Sequence, residues 1–84
     1  MNTFFALLAE HGTAQIPLER VCSLFGLSPK EANTRAKRQD LPVPAYRVGS
    51  QQSPWLIDAG QLAAFLDDAK AKAAIEWRKI KEAA

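Results

Sequence analysis

Three features of this 84-residue chain predict a mainly α-helical fold with a small β-hairpin, a winged helix-turn-helix carrying a long C-terminal helix. A single residue, Leu27, separates a glycine that can stop a helix from a serine–proline pair that can start one. Two short extended runs follow, joined by the polar stretch Gly49-Ser50-Gln51-Gln52-Ser53. From Asp58 onward an amphipathic segment runs on without a proline.

The elements justify themselves in order. Thr3 to His11 holds Phe4, Phe5, Leu7 and Leu8. Asn2 or Thr3 is placed to cap a short helix there and Gly12 to end it. A buried strand is the rival reading, because a short run with paired phenylalanines suits either. Ile16 to Gly26 reads as the next helix. Pro17 suits a first helical position, where an N–H would have no partner. Leu18, Val21, Cys22 and Phe25 recur at helical spacing, and Gly26 can adopt the left-handed conformation that ends a helix.

Ser28-Pro29-Lys30-Glu31 supplies a capping serine, proline at the first position and glutamate at the third, a capping box. Leu27 is placed to pack on Ala32 as a hydrophobic staple. Two helices joined by Gly26-Leu27-Ser28 must turn sharply, which is the construction of a helix-turn-helix. The second helix is expected to run to about Gln39. Its apolar residues, Ala32 and Ala36, are small, so it can lie close on its neighbour.

Asp40-Leu41-Pro42-Val43-Pro44 breaks that helix. Ala45 to Val48 and Pro54 to Ile57 are the expected hairpin strands, with Pro54 opening its strand or sitting on an edge. Asp58 caps the last helix, with Gln61 three residues on. Leu62, Phe65, Leu66 and Ala69 are expected to pack on the domain, and Ala73, Trp77 and Ile80 continue outward as a narrow stripe between charges. Residues 1–84 thus read as a single domain, with 70–84 as a helical extension suited to self-association.

Bulk composition narrows the function classes. A length of 84 residues suits one modest core, and 48% hydrophobic with 24% charged residues is ordinary for a globular protein in water. No run of eighteen apolar residues is present, so a membrane span is not expected. Met1-Asn2-Thr3-Phe4-Phe5 has no basic leader, so neither is a signal peptide. Cys22, the one cysteine, cannot form an internal disulfide. The bacterial cytoplasm, with association to the nucleoid, is the expected location.

Chemistry-bearing constellations are sparse. His11 is the one histidine, so a zinc site would have to rely on carboxylates. The dipole favours His11 at a helix end, and Cys22 falls on an apolar stripe. Asp67 and Asp68 are adjacent, so on a helix they point apart. No glycine-rich phosphate loop occurs, and neither Ser23 nor Ser28 has a histidine placed beside it. No catalytic residue, metal or cofactor is expected.

Charge points elsewhere. The net charge is only +2, but it is unevenly spread. Residues 28–47 carry Lys30, Arg35, Lys37, Arg38 and Arg47 against Glu31 and Asp40, a net +3. Residues 70–84 are again +3, whereas 1–27 and 48–69 are −1 and −3. Two basic patches on a near-neutral body fit a polyanion, although solvated helix faces would look the same. The helix-turn-helix with its wing makes the stronger case. Asn can read adenine and Arg or Lys can read guanine, while both cations also contact phosphates. Lys30, Asn33, Thr34, Arg35, Lys37 and Arg38 lie on the second helix, and Arg47, Gln51 and Gln52 on the wing. These nine are the candidate contacts to double-stranded DNA.

The two tryptophans divide. Trp55, in the second wing strand, reads as core. Trp77 lies on a charged helix beyond the domain, where a half-exposed tryptophan marks an interface. With Ala73 and Ile80 it is assigned to self-association, as a homodimer or a cooperative oligomer on DNA.

Met1-Asn2-Thr3 followed by an apolar segment, then Ile16-Pro17-Leu18 with Val21-Cys22, resembles the opening of the pyocin activator protein (PrtN) family. Leu41-Pro42, Arg47, Ser50-Gln51 and Leu62-Ala63-Ala64-Phe65-Leu66-Asp67 resemble the rest of that pattern in order and spacing, over nearly the whole chain. The resemblance implies a small DNA-binding activator of a bacteriocin or phage gene cluster. The middle of the chain, with Arg47-Val48-Gly49 and Leu62-Ala63-Ala64-Phe65-Leu66, is also similar to excisionase and MerR-type winged helices. That similarity implies an alternative role, an architectural DNA bender that directs an integrase. RNA polymerase or an integrase is the protein partner these two readings imply. A third reading is an adaptor that turns its basic helix and Trp77 toward an acidic protein.

Overall fold

A computed structural model describes residues 2–83. Helix α1 spans Thr3–His11, so the first segment is a helix and not a strand. The Asn2 side chain accepts the Phe5 N–H at 2.8 Å, and Gly12, at φ 71°, donates its own N–H to the Leu8 carbonyl at 2.8 Å. Both ends therefore find partners for backbone groups that a short helix leaves open.

The next segment departs from expectation. Gln15–Pro17 is a strand, β1, and not the start of a helix. Ile16 pairs antiparallel with Ile57, and both are wholly buried. Pro17 has ψ 132°, so the chain is still extended there. β1 lies at an edge of its sheet, where a residue without an N–H is tolerated. Helix α2 is then only Leu18–Val21, and it tightens into a 3₁₀ turn over Cys22–Phe25. Gly26, at φ 73°, ends that turn. Helix α3 spans Pro29–Lys37.

Strands β2 (Ala45–Tyr46) and β3 (Leu56–Asp58) complete an antiparallel sheet of order β1-β3-β2. The wing strands are shorter than expected. Tyr46 pairs with Leu56, so an extended ladder would next require Trp55 and Pro54 to pair. Proline has no N–H to offer, and the ladder stops. Asp58 ends β3 and also caps the last helix, accepting the Gln61 N–H at 3.1 Å. That helix, α4, is Ala59–Ala83 and gives the molecule its long dimension, 54 × 27 × 16 Å.

The core sits where β1 and β3 meet α2 and the first turns of α4. Ile16, Ile57, Leu62 and Val21 are its largest fully buried side chains. Phe25 meets Phe65 edge-on at 5.5 Å, tying the 3₁₀ turn to α4. α1 packs along α4, and the Thr3 hydroxyl donates to the Asp67 carboxylate. Thr3 is the first residue of α1, so its cover over α4 ends there. Ala69, expected to pack on the domain, is instead exposed. The mainly helical composition, the small antiparallel sheet and the long final helix together make a winged-helix-like fold.

Candidate nucleic-acid interface

The path into α3 is built by local chemistry. The Leu27 N–H donates to the Cys22 carbonyl at 3.2 Å and the Gly26 N–H to the Ser23 carbonyl at 3.0 Å, which fixes the turn between the helices. The Ser28 hydroxyl then accepts the Glu31 N–H at 3.2 Å. It also donates to the Glu31 carboxylate at 3.0 Å, so the glutamate closes the capping box on the hydroxyl and not on the Ser28 N–H. Ser28→Ala is expected to lower stability by about 1 kcal/mol. An unchanged thermal melting curve would remove this cap from the fold's support.

α3 ends two residues before the expected Gln39. Gln39 sits at φ 55°, the left-handed conformation, and the Asp40 N–H turns back to the Arg35 carbonyl at 2.9 Å. Between these two ends, Ala32 and Ala36 are wholly buried. At about 100° per residue, Thr34 points directly away from that pair. Lys30, Lys37 and Arg38 flank it, and Asn33 and Arg35 fall on opposite sides of the helix. All six are exposed. Such a helix is held by two methyl groups so that its polar residues face outward.

The two sides meet different surroundings. Lys30, Glu31, Thr34, Arg35 and Arg38 line a shallow groove along the outer face. Glu31 is the acidic member, and its carboxylate is already engaged by Ser28. The Thr34 hydroxyl donates to the Lys30 carbonyl at 3.1 Å. Asn33 instead borders a cleft shared with Pro17, Pro29, Pro54 and Trp55, between the junction of β1 with α2 and the base of the wing. Sequence reasoning missed this neighbourhood, because Trp55 was assigned wholly to the core. It is half-buried, and its indole Nε1 is enclosed without a hydrogen-bond partner among the described residues.

Arg47 is partly withdrawn from solvent. Its guanidinium lies 4.2 Å above the Trp55 ring and donates to the Gln51 carbonyl. It therefore clamps the loop that carries Gln51 and Gln52, both exposed at the wing tip. The Ser53 N–H to Ser50 carbonyl bond at 3.0 Å closes the same loop. Burial, reinforced by the Asp58 carboxylate, pushes the Tyr46 phenol above its ordinary pKa, so it remains neutral at physiological pH.

A family model for the pyocin activator protein PrtN matches residues 3–73, from the start of α1 well into α4. The chain belongs to that family. Membership places it among phage- and pyocin-type regulatory proteins. No curated protein and no solved structure matches it. The match covers α3 and the wing whole and stops at Ala73, so Trp77 and Ile80 lie beyond it.

Groups with other chemical potential are placed structurally. Cys22 is buried, its thiol donating to the Glu19 carbonyl at 3.4 Å. His11 closes α1, with its ring 4.0 Å from the Glu10 carboxylate. Among the described residues no cluster of His, Cys, Asp and Glu could hold a metal ion, and no helix is long and apolar enough to cross a membrane.

Proposed function

We propose that the protein is a sequence-specific regulator that binds double-stranded DNA and activates transcription of a phage or pyocin-like gene cluster, in the bacterial cytoplasm. Its role is binding and not catalysis. The observation that carries this reading is α3: a helix anchored through Ala32 and Ala36 that turns Lys30, Thr34, Lys37 and Arg38 outward. A helix of this width fits the major groove, where amides and cations find distinct base edges and flanking phosphates. The wing then lies beside the helix, with Gln51 and Gln52 facing the neighbouring backbone and Arg47 setting the shape of the loop.

Fluorescence anisotropy on promoter duplexes and scrambled duplexes, over a range of salt, tests the proposal. Tighter binding to one promoter sequence is expected. Affinity no greater than for a polyglutamate chain would instead favour the adaptor reading. Protection of an attachment site in footprinting, with no protection of a promoter, would favour the excisionase. Lys30→Ala is expected to weaken binding to every sequence and to flatten the log–log salt slope by about 0.9, the share of one phosphate contact. An unchanged slope would remove Lys30 from the phosphate contacts.

A further inference from the structure

One carboxylate stands in an otherwise basic groove. Glu31 shares the outer groove of α3 with Lys30, Thr34, Arg35 and Arg38. It is exposed. At about 100° per residue it lies about 60° round the helix from Thr34, nearer the outward direction than Asn33 or Arg35 at about 100°. Arg35 follows four residues later, the spacing at which a glutamate and an arginine pair on a helix. Among the described residues, however, Glu31 forms no ion pair with Arg35 or with any other cation. The Ser28 hydroxyl holds Oε1 at 3.0 Å, and Oε2 has no hydrogen-bond donor among the described residues.

Capping alone does not call for this charge, because glutamine closes the same box. The helix dipole favours a carboxylate in the first turn, but beside DNA the phosphates repel it unless it finds a donor. The major groove offers few. Cytosine N4 and adenine N6 donate, whereas guanine presents O6 and N7 and thymine O4. Adenine also sets the N7 lone pair beside its amino group, which a carboxylate avoids, so cytosine is the better match. In a helix-turn-helix the N-terminal residues of the second helix are the ones that reach base edges.

We propose that Glu31 is a specificity-determining residue whose free Oε2 accepts the N4 amino group of one cytosine in the target site, while Ser28 fixes the side chain through Oε1. The role follows from the proposed docking of α3 in the major groove. Lys30, Arg35 and Arg38 supply affinity for any duplex, and the carboxylate withdraws part of it wherever no amino group faces it. Repulsion from the wrong base then adds to attraction for the right one.

Selection of duplexes bound by the full chain from a randomised pool, read by sequencing, tests the role. The wild-type chain is expected to fix cytosine at one position. Glu31→Gln keeps the capping box, so its melting curve should stay in place. It should change that one position from cytosine to adenine, whose N6 and N7 suit an amide. On the wild-type site its affinity should fall about tenfold, with no loss on scrambled duplexes. Exchanging that C·G pair for T·A should likewise weaken the wild-type chain about tenfold but Glu31→Ala much less, a second measurement that holds even if the glutamine variant fails to fold. The same selected site for wild type and Glu31→Gln, or equal losses of wild type and Glu31→Ala on the exchanged pair, would overturn the role of Glu31 and leave DNA binding standing. A wild-type chain that enriches no sequence would overturn sequence-specific binding by α3, and the cytosine contact with it.

Discussion

Ile57→Ala is expected to lower folding stability by about 2–5 kcal/mol, enough to bring the protein close to unfolding at growth temperature. Ile57 is 0% exposed and sits on the central strand. It faces Ile16 on one neighbouring strand and Ala45 on the other. The whole sheet is referenced to that residue, and the surrounding core has little freedom to collapse into the space left by a lost side chain. A domain of this size holds roughly 4–13 kcal/mol in all, so the loss is a large share. At about 4–8 °C per kcal/mol, the melting temperature should fall by roughly 10 °C or considerably more. Ile57→Val, which keeps the branch and leaves a smaller void, should cost only about 0.5–1.5 kcal/mol. Circular dichroism melts of both variants check this. A shift of only a few degrees for Ile57→Ala would mean that the sheet is not the keystone of the core.

The residues whose roles were legible in the sequence act over a few neighbours. Asn2, Gly12, Ser28 and Asp58 each bond to the backbone three or four residues away, and Gly26 needs only its own φ. The turn from Gly26 to Ser28, and with it the orientation of α3, follows from such local contacts. β1 was hidden because its strand conformation depends on Ile57, far along the chain, while locally Pro17 before Leu18 looks like the first turn of a helix. The wing was legible as a hairpin, but its length was set by Pro54 meeting the ladder across the register. The placement of Ala69 depended on where α1 stops covering α4, which neither sequence segment encodes by itself.

The candidate site divides in the same way. The polar character of α3 was visible, since Ala32 and Ala36 at a spacing of four define its buried side and so its outer side. The difference between Asn33 and Thr34 was not visible. Asn33 borders the cleft with Pro54 and Trp55, a neighbourhood made where the base of the wing meets α3 and the junction of β1 with α2. The clamp of Arg47 on Trp55 and Gln51 likewise needs the hairpin to exist first. Arg47, a candidate contact to DNA from the sequence, is in the structure also an organiser of the loop beside it.

The second large effect expected is on binding: the double replacement Lys30→Glu with Arg38→Glu should nearly abolish DNA affinity. Both residues line the outer groove of α3, two turns apart along the helix, and neither forms an ion pair within the chain among the described residues. Losing two charge-assisted hydrogen bonds of about 1.5–3 kcal/mol each removes roughly two to four orders of magnitude in affinity, before the added repulsion of two carboxylates is counted. The loss should be equal on specific and scrambled duplexes, because phosphates are common to both. Stability should change by no more than about 0.5 kcal/mol, since both side chains stand in water. Asn33→Ala supplies the contrast: a loss of about 1–3 kcal/mol confined to the specific sequence would assign it a base contact reached from the wing side. Equal weakening on all duplexes, with a changed Trp55 fluorescence in the free protein, would assign Asn33 to the cleft instead. Retained affinity in the double variant would take the groove-facing side of α3 out of the interface altogether, and the proposed mode of binding with it.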